Sequence, residues 1–184
     1  EATKVNVLGT ENLIRASIQN NISKFLLIST DKVVDPTTVL GSTKLLAEKI
    51  VVNSNLNKGQ KKITFSVVRF GNVIGTRGSV LPKFIMQAKQ NGSLTVTDKL
   101  STRFFVTVDN AVNAILLSLE KMRGGEIFIP KTINSLNIYD LAQSISKNYK
   151  NNKKIKIIGL RGGEKVHEKI LTELEFFRLK IYKD

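Results

Sequence analysis

The sequence predicts an α/β fold, part of a doubly wound parallel sheet followed by a smaller mixed α/β lobe, and three observations carry that prediction. Residues 25–28 and 64–70 are largely apolar runs of strand length, as expected of parallel strands covered on both faces. Between them Leu46, Ala47, Ile50 and Val51 recur at helical spacing, so strand, helix and strand make one crossover unit. Beyond residue 72 the pattern changes to short β-like pieces separated by helices, without internal repeat.

The elements follow in order. Val7, Ile14 and Ile18 fall on one face, with Leu8 and Leu13 beside it, which predicts a helix over residues 1–20. The strand at 25–28 ends in Ser29-Thr30-Asp31-Lys32, and Pro36 breaks the loop that leads to the second helix. Residues 53–62, rich in Asn, Lys and Gly, read as an exposed turn before the strand at 64–70. After glycines 71, 75 and 78, Leu81, Phe84, Ile85 and Ala88 mark a helix with Pro82 in its first turn. Strands are expected at 94–97 and 103–106, then a helix at 109–119 with its apolar face at 112, 115, 116 and 119. A strand at 126–129, a helix at 140–149, a strand at 154–158 and a C-terminal helix from about 169 complete the reading. Residues 1–72 are thus assigned to the sheet-forming half, and residues 73–184 mostly to the second lobe, with strands free to return to the sheet.

Composition narrows the function. With 41% apolar residues and no run near the ~20 that a membrane span requires, the chain reads as soluble. The absence of cysteine excludes thiol nucleophiles, and one histidine, His167, leaves little from which to build a metal site, so no metal is expected. The net charge of +14 raises nucleic acid as a partner. Its 29 basic residues are spread along the whole chain, however, with neither an aromatic RNA-binding signature nor zinc-finger spacing, so no nucleic acid is expected.

The cluster Thr30-Asp31-Lys32, with Lys44 near the start of the next helix, sets hydroxyl, carboxyl and amine groups just past a buried strand. A rigid strand end aims such groups into a crevice, and this is taken as the active site. Gly71, Gly75 and Gly78 have the wrong spacing for a dinucleotide fingerprint and are expected to let the backbone approach a substrate.

Five blocks then carry a resemblance: Ser29-Thr-Asp-Lys32, Gly41-Ser-Thr-Lys44, Arg69-Phe-Gly-Asn-Val73, Thr102-Arg-Phe-Phe105 and Arg161-Gly-Gly-Glu-Lys-Val-His-Glu168. Their order and spacing resemble the UDP-N-acetylglucosamine 4,6-dehydratases of polysaccharide and flagellin-sugar biosynthesis, within the extended short-chain dehydrogenase/reductases. The resemblance covers nearly the whole chain and implies a Rossmann-like fold. It also implies a reaction: oxidation at C4 with bound NAD or NADP, loss of the C5 proton and C6 hydroxyl as water, and return of hydride to C6. On this resemblance Thr30 would bind the C4 hydroxyl, Asp31 would protonate the departing C6 hydroxyl and Lys32 would be the base at C5. Lys44 matches the lysine of a Tyr-x-x-x-Lys pair, but Leu40 stands at the tyrosine position and has no proton to transfer. Either Asp31 or Lys32 replaces that base, through Thr30 or water, or this copy is impaired. Ser29, Lys44, Phe70, Gly71, Asn72 and Val73 would face the cofactor. Asn72, Arg77, Ser79, Arg103, Arg161 and Glu164 would bind the UDP-sugar, the two later arginines on its diphosphate and Glu164 on Arg161 or a ribose hydroxyl. His167 is read as structural.

The resemblance further implies that the chain is the C-terminal part of a longer enzyme whose first half carries the glycine-rich cofactor turn. It implies a homo-oligomer joined through the helices at 1–20 and 43–54, a cytoplasmic location, and membrane attachment only through an N-terminal anchor outside this chain. Nucleotide-sugar epimerases and reductases are the sister activities, but epimerases need the tyrosine that Leu40 replaces and usually lack the Asp-Lys pair. A non-catalytic fragment and a basic nucleic-acid module complete the alternatives, the latter explaining the charge but not the five blocks.

Overall fold

The computed structural model describes residues 1–76, 78–90, 92–148 and 154–182. A π-helical turn, Lys4–Leu8, runs into α1 (Gly9–Gln19), followed by β1 (Lys24–Thr30), α2 (Val39–Asn57) and β2 (Thr64–Phe70). β1 and β2 pair in parallel from Lys24 with Thr64 to Thr30 with Phe70. The third strand of this sheet is β6 (Ile127–Phe128), which pairs in parallel with β2, so a strand from beyond residue 72 returns to the first sheet.

Alternation along these strands separates two cores. Phe65 and Val67 face α1 and α2, where they bury with Ile14, Val51 and Ile63. Val68 and Phe70 face the other way, toward Val106 and Ala111, with Ile115 of α4 (Val108–Lys121) packed beside them. Each fully buried Val or Phe contributes about 1.5–3 kcal/mol relative to exposure, so the two faces together fix the strand ends that bear the chemistry. β2 is covered on both faces as expected, but Ile28 of β1 remains about half-exposed at 48%.

The second lobe packs α3 (Val80–Lys89), β4 (Leu94–Val96), β5 (Thr102–Val106) and α5 (Ile138–Asn148) around Phe84, Leu94, Val96, Phe105 and Ala142. β5 is central to a second sheet, parallel to β3 (Asn72–Val73) and antiparallel to β7 (Asn134–Asn137). β4 pairs with β8 (Ile155–Ile157).

Several sequence expectations are corrected. α2 continues to Asn57, taking in half of the stretch read as a turn. The Asn55 amide holds that last turn to β2, donating to Phe65 O at 2.8 Å and accepting from Phe65 N at 3.0 Å. On α4 the inward residues are Ala111, Ala114, Ile115 and Ser118, while Val112 and Leu116 are exposed. Small side chains allow the helix close to the sheet, which displaces the apolar stripe outward. The C-terminal helix is one turn, α6 (Glu173–Phe176), started by a capping box between Thr172 and Glu175. The expected end of the 140–149 helix, Tyr149, lies outside the described residues. Among the described residues no helix is long and apolar enough to cross a membrane.

Candidate active site

Because β1 and β2 end level, the groups that follow them meet at one edge of the sheet. Thr30 leads into a 3-10 turn, Asp31–Val33, that drives the Asp31 side chain inward until it is fully buried. Asp31 Oδ1 accepts from Thr30 Oγ1 and from Lys32 Nζ, both at 2.9 Å. Lys32 Nζ also donates to Asn72 Oδ1 at 3.1 Å, joining the turn to β3 across 40 positions of sequence. The second carboxylate oxygen, Asp31 Oδ2, has no hydrogen-bond partner. Leaving such an atom unpaired in the interior costs about 1–3 kcal/mol, a cost that folds carry mainly where the group has chemistry to perform.

Gly71 sets the place of Asn72. A Cβ there would lie 2.4 Å from Phe104 O and 2.5 Å from Phe104 Cβ, so only glycine lets the chain leave β2 and pair with β5. Gly75 and Gly78 have φ of +80° and +78° and open space around them. The expectation that Gly71 admits a substrate is therefore corrected, since the chain approaching it is β5. Gly71→Ala is expected to destabilise the protein by about 1–3 kcal/mol through forced backbone shifts. Urea unfolding checks this, together with a loss of turnover as Asn72 leaves Lys32.

Of the residues expected on the cofactor, Ser29 is buried with an unpartnered Oγ, and Lys44 is half-buried with Nζ 3.4 Å from Ile28 O. Leu40 lies one turn before Lys44 on α2 and is half-exposed. Phe70 and Val73 pack with the core around Val106, and their main chain pairs with Thr30 and Val106, so the side chains of both are taken up by the fold.

The residues expected on substrate converge only in part. Lys32, Arg103, Arg161 and Glu164 line a crevice of about 300 Å³, with Thr37, Thr38, Lys165 and Glu168 on its wall. Arg103 is already committed, donating to Thr102 O at 2.8 Å, Val166 O at 3.0 Å and Glu164 Oε1 at 2.8 Å. Glu164 also accepts from Thr97 Oγ1 and, with its other oxygen, from the main-chain N–H of Arg161. It thus orients the Arg103 guanidinium and leaves that of Arg161 exposed in the crevice, in place of the expected side-chain pairing with Arg161. Ser79 precedes α3 with its Oγ unpartnered, and Arg77 lies outside the described residues. His167 Nδ1 meets Thr102 Oγ1 at 2.9 Å and its backbone bridges Thr102, tying the C-terminal segment to β5.

Sequence reasoning missed the strongest ionic feature. Arg69 of β2 is 1% exposed and pairs with Glu48 of α2 (2.7 and 3.2 Å) and Glu175 of α6 (3.0 and 3.1 Å), and donates to Ile170 O. The one available signal was a charged residue inside an otherwise uncharged, largely apolar strand. Burial alone lowers the Arg69 pKa, but hydrogen bonds to Glu48 and Glu175 outweigh it and raise the value. Burial raises the Glu175 carboxyl, yet the Arg69 bond and the Thr172 N–H bring it below its ordinary 4.5. A carboxylate depressed in the folded state adds stability above its unfolded pKa and loses it as pH falls through the folded value. Wild-type stability should therefore drop below pH 4.5 more steeply than that of Glu175→Gln, as thermal melts against pH would record.

The sequence profile of the polysaccharide biosynthesis protein family matches residues 1–184. The chain belongs to that family. Among its relatives, a UDP-N-acetylglucosamine 4,6-dehydratase (inverting) of Campylobacter jejuni is 42% identical over 94% of this chain and 50% of its own length. A UDP-glucose 4-epimerase of Rickettsia canadensis is 39% identical, covering 94% and 50%. The crystal structure of Pen from Bacillus thuringiensis superposes with a TM-score of 0.87 at 38% identity, over 94% of this chain and 54% of that one. At 19% identity, a dTDP-glucose 4,6-dehydratase from Streptomyces venezuelae, solved with NAD and TYD bound, shares the fold, with a TM-score of 0.81 over 96% and 59%. The chain spans about half the length of the curated relatives it matches. As a member of the polysaccharide biosynthesis protein family it has the Rossmann-type α/β fold that the sequence predicts.

Proposed function

We propose that this chain is the catalytic and substrate-binding part of a nucleotide-sugar 4,6-dehydratase that acts on UDP-N-acetylglucosamine. The observation that carries this reading is the Asp31–Lys32 pair, one group buried and the other opening on a crevice with Arg103 and Arg161. A carboxyl and an amine in direct contact can supply the acid and the base of an elimination.

NAD or NADP fits beside the pair, where Ser29 Oγ lacks a partner and Lys44 Nζ has only a long contact. Bound there, it would accept hydride from C4 and return it to C6. The protons can then pass entirely through this chain's own groups. With Lys32 neutral, Thr30 Oγ1 accepts the C4 hydroxyl proton and hands its own along the 2.9 Å bond to Asp31. Asp31, now a carboxylic acid, protonates the C6 hydroxyl as it leaves, and Lys32 takes the C5 proton as that C–O bond breaks. Lys32 then returns a proton to C5, which restores the neutral amine and the carboxylate; the sum is loss of one water. This route needs no tyrosine at position 40, because Thr30 and Asp31 do that work. Asn72 holds the Lys32 amine toward C5.

The epimerase-named relative favours a second reading, C4 epimerisation. Mass spectrometry separates the two: the protein as its gene encodes it, loaded with cofactor and given UDP-N-acetylglucosamine, should yield a product lighter by one water. An isomer of unchanged mass would establish the epimerase reading instead. Assembly through α1 and α2, whose Leu13 and Leu46 are exposed, belongs to the same proposal.

A further inference from the structure

The segment from Arg161 to Glu175 crosses directly over the loop that follows Asp31 and Lys32, and three polar contacts bind the two together. Thr37 Oγ1 donates to Gly163 O at 2.6 Å, and a Cβ on Gly163 would come within 2.9 Å of Thr37 O. Lys169 Nζ pairs with Asp35 Oδ2 at 3.0 Å. Lys165 Nζ donates to Val34 O at 2.7 Å and pairs with Glu168 at 3.2 Å, with its side chain only 19% exposed. Val34 itself is 1% exposed, and the next residue, Asp35, has φ +46°, a left-handed conformation that aspartate adopts at some cost. The carbonyl of Val34 ends the turn that carries both proton-transfer groups, and the lysine from the crossing segment satisfies it.

We propose that Lys165 is a positioning residue: its ammonium pins the Val34 carbonyl so that the 31–38 loop holds Asp31 buried against Lys32 and presents Lys32 at the crevice. The inference rests on the dehydratase reading for its kinetic consequence but not for its structural one. The rival role is direct contact with the anionic end of a nucleotide, since Lys165 also lines the crevice that holds Arg103 and Arg161. Geometry favours positioning, because the ammonium is turned to Val34 and Glu168 and is largely withdrawn from solvent.

Lys165→Met in the protein as its gene encodes it decides between the two roles. The expected result is a kcat lower by about 10- to 100-fold with the Kd for UDP changed less than about twofold, as for a misplaced catalytic group. Amide hydrogen exchange across residues 31–38 should accelerate, and Lys165→Arg, which keeps the donor, should restore part of kcat. A weakened UDP affinity with unchanged exchange would overturn the proposal and make Lys165 an anion ligand; no change in either would overturn it as well. Should Lys165→Met not fold, Thr37→Val and Lys169→Met each remove one tie, and unaltered exchange over 31–38 in both would overturn it. If the wild-type protein does not dehydrate UDP-N-acetylglucosamine, the functional reading falls while the exchange measurement still decides this one.

Discussion

Lys32→Met is expected to lower turnover of UDP-N-acetylglucosamine by about 10²- to 10⁴-fold, the usual effect of removing a positioned general base. Methionine keeps the length and loses the amine, so neither the C5 proton nor the bond to Asn72 Oδ1 finds a partner. Asp31 retains its Thr30 contact. Lys32 is partly exposed, so the fold should hold, but some stability is lost because the fully buried Asp31 carboxylate loses its ammonium partner. Circular dichroism should match wild type while turnover is lost. Full turnover in this variant would end the assignment of the base.

Arg69→Met is expected to destabilise the protein by about 3–5 kcal/mol, as breaking a buried ion pair leaves its partners charged and dry. Glu48 is 1% exposed, and without the guanidinium it has no other cation within reach in the ion pairs of the described residues. Three elements come apart together, since Arg69 joins β2 to the helix that carries Lys44 and to the capping turn of α6. Adding Glu48→Gln should recover part of the loss, because the stranded charge is removed. Denaturant unfolding of the single and double variants measures both. A single variant within 1 kcal/mol of wild type would show that the triad contributes little.

β2 was legible because burial on both faces leaves a contiguous apolar signature, and β1 because its 25–28 run is apolar even though Ile28 stays half-exposed. β3 and β7 were not: Asn72–Val73 and Asn134–Asn137 are short and largely polar, and they are strands only because β5 offers backbone partners on either side. α4 was placed but its buried face was misjudged, since hydropathy weights Leu116 above Ala111 while packing against the sheet selects the smaller residue. At the site, Thr30, Asp31 and Lys32 are adjacent in sequence and were recognised as a cluster. The turn of Asn72 onto Lys32 and of Glu175 onto Arg69 spans 40 and 106 residues, distances at which local spacing carries no signal. The commitment of Arg103 to Glu164 was hidden for the same reason.

On the proposed route Lys32 removes and returns the C5 proton while Asp31 expels the C6 hydroxyl. The most direct test is turnover of UDP-N-acetylglucosamine by the cofactor-loaded protein in deuterium oxide, read by mass spectrometry and proton NMR. An amine proton exchanges with solvent between the two transfers, so the product should have lost one water and carry one deuterium at C5. A product of unchanged mass, or one that has lost water with no deuterium at C5, would contradict it.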